Sequence, residues 1–394
     1  MKKNKVKLIS AFLLIALTIS LFTVSASVPI GDDTETDAPA LTLDCKSALL
    51  MEANTGKILY AKNENEALPP ASVTKVMTIL LCMEEIDSGK LALSDTVTAS
   101  AYATSMGGSQ IYLKEGEQMS VEDMLKSVVI ASANDAAVAL AEHICGSEEA
   151  FVARMNERAK QLGMNNTYFE NTNGLDDTTE NHKTSALDIA LMSRELMKHE
   201  KIFEYSSTWM DTIRNGAFGL TNTNRLIRFY KGATGLKTGS TSKAGFCISA
   251  TAEREGVKLI AVIMGAESRD VRNNCAKTLF DYGFATCAIY TAPEFEHPPI
   301  SVTGGVSPSV GVRAESFFAL VGKGEEGSVT SNVILPETVT APIKAGDKIG
   351  EISYSLNKEE IGRVGIYATE DVEKISFFEI LRRVTSRFLL ASPA

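Results

Sequence analysis

The sequence predicts an α/β (α+β) domain over residues 43–290, a small all-β domain over 295–371 and an amphipathic helix over 374–390. Three observations predict it. Alternating apolar residues bounded by turn residues mark strands near both ends of the first region, and helical periodicity fills its middle. Between residues 300 and 371, short β-like runs are broken by glycine, with little helical period. The last stretch, KISFFEILRRVTSRFLL, segregates apolar from charged residues at helical spacing.

The elements follow in order. Lys2, Lys3, Lys5 and Lys7 precede a mostly apolar run from Leu8 to Phe22, and Val24-Ser25-Ala26 supplies a cleavage site. Residues 1–26 therefore read as an export signal cut after Ala26. The alternative is an uncleaved membrane helix, but the apolar run falls short of a ~20-residue span. Residues 27–42 are polar, acidic and small, a linker. Ser47 to Ala61 reads as strand, turn at Asn54-Thr55-Gly56, and strand. A largely buried helix starts near Ser72. Ser120 to Cys145 shows two helical stretches, with Ser120, Glu122 and Asp123 resembling a helix start. Residues 148–163 and 184–200 are again helical in pattern. From Gly235 the period becomes that of strand, turn at Glu255-Gly256, and strand. Strands flanking helices suggest one sheet that joins both ends of the domain.

The proline-rich TAPEFEHPP marks a boundary near Tyr290, after which Phe317–Val321, Val329–Leu335, Lys348–Tyr354 and Arg363–Tyr367 read as strands. In the tail, Phe377, Ile380, Leu381, Val384 and Phe388 share one helical face. Glu379, Arg383 and Arg387 share the opposite one, with Arg382 beside them. At ~25 Å its arginines forbid simple spanning. It reads as a helix lying in a membrane interface or as one docked on the β domain.

Composition narrows the function. The chain has 394 residues, 44% hydrophobic and 22% charged, with a net charge of −10. That charge argues against nucleic acid as a partner. The four histidines are scattered without metal-ligand spacing, so no metal site and no cofactor are expected. Export would permit disulfides, yet six cysteines are sparse for a disulfide scaffold. Cys82 and Cys145 sit in helix-like apolar settings, and mostly free, buried thiols are expected.

The chemistry starts at Pro69–Leu81, PPASVTKVMTILL. Residues three apart on a helix share a face, so Ser72 and Lys75 could meet at the mouth of the helix. A serine hydroxyl needs a base at neutral pH, and lysine serves if burial or nearby positive charge lowers its pKa. S-x-x-K alone is weak, since a capping serine and a surface lysine give the same pattern. Two further stretches change the weight. Lys237-Thr238-Gly239, continued by Ser240, lies in a strand-like segment. Its glycine permits close approach, and its lysine and threonine could hold a carboxylate. Ser132-Ala133-Asn134 sits in a break between helices. Its serine can relay a proton and its asparagine can donate and accept.

The triple, in this order, is the pattern of penicillin-binding proteins and class A β-lactamases. The chain resembles the low-molecular-mass penicillin-binding proteins, serine-type D-alanyl-D-alanine carboxypeptidases. The resemblance runs over about residues 45 to 285, through TGKILYAKNENEALPPASVTKVMT, GSQIYLKEGEQMSVEDML, ASANDAAVALAEHICGSEEAFVARMNERAKQLGMNNTYFENTNGL and YKGATGLKTGSTSKAGFC. It implies a penicillin-binding-protein/serine β-lactamase-like transpeptidase domain. It also implies removal of the terminal D-alanine from peptidoglycan stem peptides through an acyl-enzyme, with β-lactam antibiotics as covalent inhibitors. By position, Ser72 resembles the nucleophile, Lys75 its base and Ser132 the proton relay, with Asn134 holding Lys75 and the substrate amide. Lys237 and Thr238 resemble the carboxylate subsite, beside Gly239. The backbone N–H groups of Ser72 and Ser240 resemble the oxyanion hole. Ala133 stands where relatives often have glycine. The layout implies an exported protein on the outer face of the cytoplasmic membrane. Three other functions compete. A DD-endopeptidase would differ only beyond the cleaved bond. A class A β-lactamase would need a local E-x-x-L-N glutamate that does not occur here. A non-catalytic wall-binding protein would not need all three motifs.

Overall fold

A computed structural model describes residues 41–177 and 179–390, the side chains of Arg387, Leu389 and Leu390 excepted. The expected signal peptide and nearly all of the expected linker lie outside the described residues. Strands β1 (Ser47–Glu52) and β2 (Ile58–Lys62) form the first hairpin. β1 is buried along its whole length, because helices cover both faces of the sheet. Side chains alternate across a strand: Leu49 and Met51 join the large helical core, while Leu50 points to the other layer, beside Gly283.

After a 3₁₀ turn at Ala71–Thr74, helix α1 (Lys75–Asp87) runs through the centre of the domain. Every residue from Val76 to Met83 is buried, so its sequence is apolar all round rather than striped. Each such aliphatic side chain contributes about 1.5–3 kcal/mol by leaving water. Helix α2 (Val121–Ile130) starts as its sequence suggests: Ser120 Oγ accepts from the Asp123 N–H, and Glu122 and Asp123 occupy the first turn. Helices α3 (Asn134–Cys145), α4 (Glu148–Gln161) and α5 (Ala186–Leu196) complete the helical layer.

Strands β3 (Ala233–Thr241), β4 (Gly245–Arg254) and β5 (Val257–Ala266) close the sheet in the order β2-β1-β5-β4-β3, antiparallel throughout. The β4–β5 turn is at Glu255 and Gly256, both with positive φ. The sheet does join strands from both ends of the domain, with Leu50 of β1 opposite Ala261 of β5. The longest element that the sequence did not show is helix α6 (Arg269–Thr286), which packs on β5, β4 and β1. Its first half, RDVRNNCAKT, is polar, and Leu279, Phe280 and Phe284 reach the sheet only in the second half. The apolar stripe was too short to stand out.

Cys287–Thr291 then pairs with Phe318–Gly322, carrying the chain into the all-β region. There a four-stranded sheet of Val312–Ala314, Glu359–Ala368, Lys348–Leu356 and Thr330–Ile334 packs around Ile352, Ile366 and the stacked rings of Phe317 and Tyr354, 4.0 Å apart. Val372 is buried against Ile343, and the Ile375 N–H donates to Gly304 O. The β region therefore continues past 371, and the tail helix α7 starts at Phe377 rather than at 374. The apolar side chains of α7 are exposed, Phe377 to 72% and Phe388 to 80%. The expectation that this face docks on the β domain is thus not met. No described helix is long and apolar enough to cross a membrane.

Candidate active site

The 3₁₀ turn before α1 presents Ser72, half-buried, at the edge of the helical layer. Lys75, the first residue of α1, is fully buried. Its Nζ donates to Ser72 Oγ at 2.9 Å, to Asn134 Oδ1 at 2.5 Å and to the Asn173 carbonyl at 2.9 Å. None of the three acceptors carries a charge that would hold the amine protonated. Burial, aided by the positive charge of Lys237, pushes the Lys75 pKa well below the ordinary lysine value, and Asp135 opposes this. A neutral amine 2.9 Å from a hydroxyl can accept its proton.

The break between α2 and α3 holds Ser132 in the left-handed region, φ +65°. A serine there costs free energy, and Ser132 lines the same cleft as Ser72. Asn134, the first residue of α3, donates from Nδ2 to Gly107 O at 2.6 Å, which leaves Oδ1 aimed at Lys75. The neighbouring Asp135 accepts from the Ile111 and Leu113 N–H groups. It thereby pins the 107–113 loop over the second motif.

Strand β3 forms the opposite wall. Lys237 is buried and its Nζ donates to the Thr238 carbonyl at 3.0 Å. Thr238 Oγ1 donates to Thr223 Oγ1 at 2.8 Å, and Ser240 is exposed. Gly239 explains why this position has no side chain. A Cβ there would stand 2.7 Å from the Ser72 nitrogen, 2.9 Å from Pro70 O and 2.9 Å from the Val73 nitrogen, all backbone. Sheet edge and 3₁₀ turn touch at that point.

Sequence reasoning missed Arg272. It lies in the first turns of α6, is buried, and lines the same cleft of about 630 Å³ as Ser72, Ser132, Thr238 and Ser240. Its guanidinium is held by Asn273 Oδ1 and the Cys247 carbonyl. Burial pushes the Lys237 pKa down to about 7, with Arg272 adding to the effect, and the Arg272 pKa down to about 10. Among the described residues no carboxylate pairs with either cation. Two buried basic groups with no carboxylate partner, beside a threonine hydroxyl, suit an anion, whose charge would hold Lys237 protonated. No local signal marks Arg272, because helix α6 itself was not legible.

Residues 33–268 match the D-alanyl-D-alanine carboxypeptidase family, peptidase S11, and residues 301–374 match the C-terminal domain of penicillin-binding protein 5. The chain belongs to the D-alanyl-D-alanine carboxypeptidase family. This carboxypeptidase is 41% identical to the D-alanyl-D-alanine carboxypeptidase DacF of Bacillus subtilis, over 87% of the chain and 90% of that relative. Its fold is similar to that of penicillin-binding protein 5 of Haemophilus influenzae, with a TM-score of 0.70 and 30% identity, covering 86% of this chain and all of that one. It is similar also to penicillin-binding protein D2 of Listeria monocytogenes in its ampicillin-bound form, with a TM-score of 0.58 and 31% identity, over 62% of this chain and all of that one. The penicillin-binding-protein fold, with its C-terminal all-β domain, is therefore that of the carboxypeptidase.

A second missed group supports the site from behind. The loop 171–175, NTNGL, supplies the Asn173 carbonyl to Lys75. Gly174, at φ +82°, lies so close to the turn that a Cβ would sit 1.9 Å from Ala71 O. Glu148 of α4 anchors this loop by accepting from the Thr172 N–H and Oγ1. Buried His182 contacts Thr74 Oγ1 through Nε2 at 2.7 Å and accepts the Glu170 N–H at Nδ1. Burial pushes its pKa down to about 4, so it stays neutral and positions the turn. The NTNGL stretch carries a turn signal, but its contact with Lys75, 98 residues away, is not a local property.

Proposed function

We propose that this carboxypeptidase removes the terminal D-alanine from peptidoglycan pentapeptide stems, with Ser72 as nucleophile and Lys75 as its base. The observation that carries the assignment is a fully buried Lys75 amine 2.9 Å from Ser72 Oγ, surrounded by uncharged acceptors. Lys75 takes the hydroxyl proton as Ser72 Oγ attacks the carbonyl carbon of the penultimate D-alanine. The backbone N–H groups of Ser72 and Ser240 hold the developing oxyanion, each contributing about 3–4 kcal/mol. Ser132 relays the proton to the departing amine, and D-alanine leaves. Lys237, Thr238 and Arg272 hold its carboxylate. Asn134 keeps Lys75 in place and meets the substrate amide. Water then hydrolyses the ester on Ser72. A β-lactam carries the same carboxylate and a strained amide, so it acylates Ser72 as well. The ampicillin-bound relative supports this. The test is incubation of the purified protein with a synthetic pentapeptide stem and an assay for free D-alanine. Release that Ser72→Ala abolishes supports the reading; absence of release from the folded protein refutes it.

The place of action is extracytoplasmic, on the outer face of the cytoplasmic membrane, after export with cleavage behind Ala26. The exposed apolar face of α7, with Arg382 and Arg383 paired to Glu379 on the polar side, suits a membrane interface. Removing residues 377–394, which spares the buried Val372, should release the protein from sedimenting phosphatidylglycerol vesicles and leave D-alanine release intact. Equal sedimentation of both forms would remove the anchor.

A further inference from the structure

We infer that Cys45 and Cys275 are a disulfide-forming pair, a modification site that ties the start of β1 to helix α6. Two lines bring the two residues together. The first is register. Gly283 of α6 lies against Leu259, near the start of β5, and against Leu50 of β1. Helix α6 therefore runs antiparallel to β5 and parallel to β1, since β1 and β5 are antiparallel. Cys275, Leu279 and Gly283 are spaced at four residues, so they share one helical face. Going back eight residues from Gly283 along the helix covers about 12 Å. The same distance along β1 covers about three to four residues from Leu50, which ends at Ser47 or Lys46, just short of Cys45. The second line is electrostatic: each of the two thiols is the strongest influence on the other, and Lys62 acts on both.

The surroundings favour reaction. Cys45 is half-buried and Cys275 is nearly covered. The Cys45 hydrogen bond, the Asp44 N–H and the charge of Lys62 pull the Cys275 pKa down to about 7 against the effect of burial. Lys62 is fixed there by donating to the Leu43 carbonyl at 2.7 Å. Two of the other cysteines differ. Cys82 and Cys247 are fully buried with their thiol pKa values pushed up to about 12 and about 11 by burial.

The oxidant is a disulfide, low-molecular-mass or protein-borne. The Cys275 thiolate attacks one sulfur of the oxidant, because the Cys45 thiol is pushed up by its hydrogen bond to Cys275 and by burial and keeps its proton. The oxidant's S–S bond breaks, and the first thiolate leaves and takes a proton from water. Cys45 then gives its proton to solvent, attacks Cys275 of the mixed disulfide, forms the Cys45–Cys275 bond and expels the second thiolate, which takes up a proton. Two protein thiols lose two electrons, and one disulfide is reduced to two thiols.

The test uses the full chain, which holds six cysteines. The protein is purified in reductant, dialysed, treated with excess oxidised glutathione, blocked with N-ethylmaleimide and mapped by mass spectrometry without reduction. The inference expects a cross-linked peptide pair containing Cys45 and Cys275. Alkylation should remain at Cys82, Cys145, Cys247 and Cys287. Cys45→Ser should trap glutathione on Cys275 and give no cross-link. Dithiothreitol should lower the Tm of the oxidised wild type by roughly 5–10 °C and leave Cys275→Ser unmoved. Six alkylated cysteines after oxidation, or a lasting glutathione adduct on wild-type Cys275, would overturn the inference. None of these readouts depends on D-alanine release.

Discussion

Replacing Gly239 with alanine tests the contact between strand β3 and the serine turn. The added Cβ would meet the Ser72 nitrogen at 2.7 Å, where ordinary contact begins at 3.4 Å, so strand and turn must part by about 0.7 Å. The other close atoms, Pro70 O and the Val73 nitrogen at 2.9 Å, are also backbone and cannot rotate away. An oxyanion donor acts within a window of about 0.4 Å, from 2.7 to 3.1 Å. A shift of the Ser72 N–H relative to Ser240 larger than that window amounts to losing one donor. The expected result is a fall in acylation rate of roughly 10²–10³-fold. The accompanying loss of stability is about 1–3 kcal/mol, typical of overpacking. The assay is the time course of labelling by a fluorescent penicillin, with thermal unfolding of the same preparation to show that it is folded. A folded Gly239→Ala protein that acylates within threefold of wild type would refute the reasoning.

Two further outcomes follow from the buried charges. Lys237→Arg keeps a cation but changes its shape, so it should retain more D-alanine release than Lys237→Ala, and equal activity in the two would count against a carboxylate role. Arg272→Ala should raise KM for a stem peptide with a free C-terminus by roughly 10–100-fold, the scale of a charged hydrogen bond. It should leave a C-terminally amidated peptide unaffected, and equal losses on both peptides would contradict an anion site. The histidine gives a pH dependence. Neutral His182 has a folded pKa of about 4 against 6.5 when unfolded. Between those values the unfolded chain binds the extra proton, so the stability it supports is complete above pH 6.5 and is lost as pH falls toward 4. The loss amounts to roughly 3 kcal/mol. Thermal unfolding of His182→Gln should therefore fall less steeply than wild type between pH 6.5 and 4, and identical slopes would contradict the assignment.

Much of this was legible where the cause is local. The Ser120 cap, the Glu255-Gly256 turn and the Ser72–Lys75 spacing each depend on residues a few positions apart, and each is found as the spacing implies. Gly239 was legible as a point of close approach, although not what approaches it. What the sequence hid depends on residues brought from afar. Arg272 reaches the cleft because α6 folds back over the sheet, and the polar first half of α6 masks the helix itself. Asn173 reaches Lys75 through a loop anchored by Glu148. The tail shows a different limit. Its amphipathic period is plain, but period alone did not say whether the apolar face was covered, and the exposure of Phe377 and Phe388 does.

The most direct measurement is the site of covalent attachment. The protein is incubated with penicillin, digested, and the adduct mapped by mass spectrometry, with Ser72→Ala run in parallel. The account predicts one adduct, on the peptide carrying Ser72, and none in the variant. An adduct on any other serine, or labelling of a folded Ser72→Ala protein, would contradict it.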